Sequence, residues 1–130
     1  MVLPPAVVVH GLSDARAALA PGLPVTLLSA HGAALYAGCG WWRALMQSVS
    51  APFDILDCAD APGWAMAALR AGQRMLVLDA GPAFAAVHAA AATLGAHVLA
   101  ERPVALDLAE PGAKRRLRSW LEGDNGTSLG

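Results

Sequence analysis

The chain has 130 residues, which is room for one domain. Nine Lys+Arg against ten Asp+Glu leave a formal charge of -1, which excludes a basic nucleic-acid module and an electrostatically held membrane surface. Hydrophobic residues make up 56% and charged residues only 15%, against about 25% charged in an ordinary domain, so disorder and a coiled coil are excluded as well.

The apolar excess needs cover. Alanine accounts for 30 residues and sits at a surface without harm, but Trp41, Trp42, Trp64, Trp120 and the many Leu and Val residues do not. A subunit interface hides such surface economically, so a homo-oligomer is expected, a dimer first. No charge occurs between Arg16 and Arg43 or from Ala80 to Ala100, and each stretch is long enough for a bilayer span of about 20 residues. Pro21, Gly22, Pro24, Gly38 and Gly40 break the first, and Gly81, Pro82 and Gly95 the second, so no membrane span is expected. Two cysteines, Cys39 and Cys58, and no basic leader point to a reducing, cytoplasmic setting.

Short apolar runs alternate with Ala-rich helical stretches. Ala6 to His10 reads as the first strand, and Ser13 offers an N-cap for a helix ending at Pro21-Gly22. Val25 to Ser29 is the second strand. Gly32 to Val49 is helical, broken or kinked at Gly38-Cys39-Gly40. Phe53 to Asp57 is the third strand, and Asp60 can cap the next helix, which has Pro62 in its first turn and stops at Gly72. Met75 to Asp79 is the fourth strand, Ala83 to Leu94 a helix ended by Gly95, and Ala96 to Ala100 the fifth strand. Val104 to Leu108 is an edge strand or a turn of helix. Pro111 opens a last helix, which places one α/β domain at residues 1–122 and a disordered Gly-rich tail at 123–130.

Near-continuous apolar strands separated by helices demand parallel pairing and right-handed crossovers. The expected fold is α/β: an open, mostly parallel five-stranded sheet with helices on both faces, a flavodoxin- or Rossmann-like three-layer sandwich. A half-barrel fragment is the alternative. The helix Ala83 to Leu94 is apolar nearly all round, which suggests burial on both sides and a first oligomer contact.

Strands in a parallel sheet end at one edge, and ligands bind in the crevice there. His10, Ser29, His31, Asp57, Cys58, Asp60, Asp79 and Glu101 all follow strands. From these, His10-Gly11, His31-Gly32, Asp57 and Asp79 are the candidate ligand-binding residues. Glycine lets backbone N–H groups approach a ligand, and an imidazole beside Asp57 or Asp79 suits general-base work. The same pattern also arises where loops simply meet solvent. A mixed metal set of His10, His31, Asp57 and Asp79 has no tight ligand spacing, and no metal or cofactor is assigned. His88 and His97, among apolar neighbours, read as satisfied structural histidines, and Cys58 as a small buried residue.

No nucleophile elbow or P-loop motif occurs. The one Lys, Lys114, sits among Arg115, Arg116 and Arg118 on a solvated helix face, so Schiff-base chemistry is not expected. Gly95 to Leu106 resembles the strand and Glu-Lys-Pro turn of NAD(P)-dependent sugar oxidoreductases over 12 residues. Arg102 stands where that family has lysine, and no glycine fingerprint follows the first strand, so neither cofactor cradle nor proton-transfer lysine is implied.

The leading expectation is a domain that binds a small polar or anionic molecule at the carboxyl edge of the sheet. An acid/base enzyme (lyase, isomerase or hydrolase) with a His–carboxylate pair is one alternative, and a non-catalytic oligomeric interaction module another.

Overall fold

A computed structural model describes residues 2–123. In chain order the elements are β1 (Ala6–Val8), α1 (Leu12–Leu19), β2 (Thr26–Leu28), α2 (Ala33–Tyr36), α3 (Cys39–Val49), β3 (Asp54–Asp57), α4 (Pro62–Arg70), β4 (Met75–Val77), α5 (Phe84–Thr93), β5 (His97–Leu99), β6 (Ala105–Asp107) and α6 (Ala113–Leu121). All five strand pairings are parallel, in the order β5-β4-β3-β2-β1-β6. The parallel α/β sheet expected from the sequence is therefore present, with six strands rather than five. Residues 105–107 settle as an edge strand beside β1, and residues 124–130, where a tail was expected, lie outside the described residues.

Strand alternation divides the core in two. Val7, Leu27, Leu56, Leu76, Val98 and Leu106 point to one face, where the buried side chains of all six helices join them. This follows from the winding. Successive right-handed crossovers stepping the same way from β1 to β5 deliver each helix to the same side. Trp42 fills the centre of this layer, wholly buried, while its neighbour Trp41 reaches the surface.

The other face carries Val8, Leu28, Ile55 and Val77, with Leu3, Met75, Leu99 and Ala105 packed around them. Among the described residues no helix side chain joins this cluster, so the third layer is extended chain rather than a second bank of helices. The connection from β5 to β6 explains how so thin a layer buries those side chains. Leu99 to Ala105 is six residue steps, a reach of about 20–22 Å. A flat sheet would place β5 and β6 five strand spacings apart, about 24 Å. The sheet must curl toward this face, and the curl makes the cluster self-covering.

Local chemistry sets the helix ends. Pro62 stands in the first turn of α4, where a missing N–H is harmless. Gly72 closes α4 with φ 97°, a backbone region that disfavours side chains. Two expected caps are absent: α1 begins at Leu12 after Gly11 rather than at Ser13, and α4 begins after Ala61, with no side-chain cap bond from Asp60. The side chain of Asp14 in the first turn of α1 instead accepts the His10 backbone N–H. α5 buries Val87 and Ala91 and leaves Ala85, Ala86 and Ala89 exposed, so within one chain it is covered on one face only. No helix among the described residues is long and apolar enough to cross a membrane.

Candidate functional site

Parallel pairing puts the carboxyl ends of all strands on one rim, and Asp57 is its buried anchor. It is the last residue of β3 and fully inaccessible to solvent. Its Oδ1 accepts the N–H of Ala59 at 2.7 Å and of Gly32 at 3.0 Å, and its own N–H donates to Ser29 Oγ at 2.9 Å. Gly32 reaches it from a left-handed conformation, φ 68°, which glycine adopts without a Cβ penalty.

The second oxygen of Asp57 faces Arg102. Nη1 of Arg102 lies 2.7 Å from Oδ2 and 3.1 Å from the Ser29 carbonyl oxygen. The guanidinium thus comes from the β5–β6 connection and rests on the ends of β2 and β3, 28% exposed. Nε and Nη2 have no protein acceptor among the described residues, so one edge of the fork stays free.

Further along the rim, His10 Nε2 donates to Asp107 Oδ1 at 2.7 Å, which assigns the ring proton to that nitrogen. The partner differs from Asp57 and Asp79, the carboxylates expected from the sequence, because β6 docks beside β1 and brings its last residue next to the chain leaving β1. Burial of the Asp107 carboxyl works to raise its pKa. The His10 hydrogen bond, the Ala109 N–H and the charges of His10 and Arg102 outweigh that and hold it below the ordinary carboxylate value. The sign follows: a depressed folded-state pKa contributes stability above the unfolded value, about pH 4, and that contribution is lost as pH falls through the folded one. Urea unfolding between pH 6 and 2.5 should show a shallower acid limb for Asp107→Asn than for the wild type; superimposable limbs would remove the pair from the acid response.

Asp79 lies elsewhere on the rim. With Asp60 it lines a cleft of about 490 Å³ between the turns that follow β3 and β4, walled by Pro62, Leu78, Pro82 and Phe84. Neither carboxylate has a hydrogen-bonding or charge partner among the described residues. Ala59 ties this cleft to the anchor: its N–H is held by Asp57, and its carbonyl accepts the Asp79 N–H at 2.8 Å. Held at both ends, Ala59 adopts φ 48°, a conformation L-residues seldom take.

The six expected site residues therefore separate. Asp57 and Gly32 are bonded to each other, His10 is bonded to Asp107 while Gly11 precedes α1, Asp79 belongs to the cleft, and His31 is exposed with no side-chain bond among the described residues. Arg102 and Asp107 complete the rim and were not among them. The apolar-polar alternation of Val104 to Leu108 held the signal for Asp107, since a sixth parallel strand ends at that edge. Burial, then the Asp57 charge, then Cys39 push the Cys58 thiol up to about 12, so it is no nucleophile. His88 and His97 are exposed and line a smaller cleft of about 260 Å³ by β5, rather than being satisfied in the core. Among the described residues no group of three or more His, Cys, Asp and Glu gathers as metal ligands.

Fold and rim define a layered parallel α/β domain with a cleft at the carboxyl edge of its sheet. Comparison with family models, with curated proteins and with solved structures finds no match to this chain.

Proposed function

We propose that this domain binds a small polar molecule at the carboxyl edge of its sheet, in the cleft between the turns after β3 and β4. The carrying observation is the cleft itself: about 490 Å³, within the roughly 300–1,000 Å³ of small-molecule sites, with apolar walls and two unpartnered carboxylates. Carboxylates only accept hydrogen bonds, so Asp60 and Asp79 select a donor, an ammonium or hydroxyl group. Leu78, Pro62, Pro82 and Phe84 suit an apolar body.

Titration with 1-butylamine and with 1,2-butanediol, followed by amide NMR, tests the reading. Resonances of Asp60, Asp79, Gly81 and Phe84 should move in the wild type and stay fixed in Asp60→Asn/Asp79→Asn, whose changes lie at exposed positions. Fixed resonances in the wild type with both probes would end the proposal.

A second reading, proton-transfer chemistry, is favoured by the 2.7 Å bond between His10 and Asp107. A carboxylate that orients one ring nitrogen leaves the other free to take a proton. That reading calls for a reaction rate that His10→Ala abolishes while cleft binding is unchanged.

A further inference from the structure

The guanidinium of Arg102 is held by one edge only. Nη1 is committed to the Asp57 carboxylate and the Ser29 carbonyl, which fixes the plane of the group. The opposite edge, Nε and Nη2, presents two parallel N–H directions, the geometry that grips a carboxylate with two bonds. Arg102 and the cleft both meet the chain at the carboxyl end of β3. Asp57 beneath Arg102 ends β3 and Asp60 of the cleft lies three residues further on, while Val77 of β4, two residues before Asp79, pairs in register with Asp57.

Resting on the cleft reading above, we propose that Arg102 is the anionic subsite of the same site, so that the ligand carries a carboxylate for Arg102 and an ammonium for Asp60 and Asp79. The charge balance narrows the class further. Asp57 already neutralises Arg102, and Asp60, Asp79 and Asp107 add negative charge along the rim, so a dianion such as phosphate is repelled. A zwitterion brings no net charge and satisfies both ends. The ligand is an amino carboxylate whose two charged groups are separated by a short apolar chain.

The test compares dissociation constants, measured by calorimetry on the full chain, for 1-butylamine, butyrate and the series from 3-aminopropanoate to 6-aminohexanoate. At least one member of the series should bind tenfold or more tightly than the better of the two singly charged probes. Arg102→Gln should erase that gain, so that no member of the series binds more tightly than 1-butylamine measured on the same variant. Because removing Arg102 leaves Asp57 unpaired, Arg102→Lys serves beside it, keeping the charge but offering no fork, and should also forfeit most of the gain. A series that binds no better than 1-butylamine overturns the inference and leaves the cleft standing. Failure of 1-butylamine itself, together with the series, overturns both.

Discussion

Asp57→Ala should lower the unfolding free energy by about 3 kcal/mol or more, a large share of the 5–15 kcal/mol typical of a domain. The carboxylate is buried and serves three donors, the N–H groups of Ala59 and Gly32 and the Arg102 guanidinium. Truncation leaves two main-chain donors without a partner in a dry place, and each such loss costs about 1–3 kcal/mol. Arg102, being partly exposed, recovers some hydration, which keeps the total toward the lower end of values for broken buried pairs. Asp57→Asn retains an oxygen for the two N–H groups but turns an amide donor toward Arg102, so its loss should be smaller. Adding Arg102→Met to Asp57→Asn should then recover stability. Equilibrium denaturation of the three variants measures this, and a loss below about 1 kcal/mol for Asp57→Ala would show that water reaches the site and replaces the carboxylate.

The second large effect is expected at the opposite end of the same strand. Asp54, the first residue of β3, accepts the Trp42 indole N–H at 3.0 Å and the Gln73 amide at 2.7 Å on one oxygen. Its other oxygen lies 2.7 Å from Arg43 Nη2. That contact is close but poorly aligned for a hydrogen bond, and Arg43 Nε and Gln73 Oε1 are also buried without partners. Charge, more than directed bonding, holds Arg43 here. Asp54→Ala strips the partner from an arginine under α3 and leaves two further donors unmet, a change expected to cost about 3–5 kcal/mol. Asp54→Asn keeps an acceptor for Trp42 and should cost less. Chemical denaturation followed by tryptophan fluorescence reads both the stability and the Trp42 environment. Equal losses for the two variants would mean that the acceptor oxygen adds nothing beyond the charge of Asp54.

The pair of aspartates shows how far residue patterns carry. Both occur in the run Phe-Asp-Ile-Leu-Asp, and the pattern alone marks a strand with polar ends. Their order in a parallel strand puts Asp57 rather than Asp54 at the carboxyl edge. What each one holds, Trp42, Arg43 and Gln73 at one end and Gly32, Ala59 and Arg102 at the other, is set by packing between distant segments. Asp79 shows the converse: a strand-end carboxylate that local pattern groups with Asp57, yet exposed and facing a separate cleft.

Composition and order of residues were enough to determine the parallel α/β class, the position of most elements and the buried state of Cys58. Apolar runs, glycine stops and proline starts act over a few residues, and backbone conformation responds to them directly. The one-sided helices, the curl of the sheet, the Arg102–Asp57 contact and the His10–Asp107 pair were decided only by the assembled chain. The last three depend on β6 crossing to the far side of β1, a choice made by a connection of five residues. That connection must span the sheet, and only the packed fold settles where so short a segment can reach and which side chains it brings down on the way.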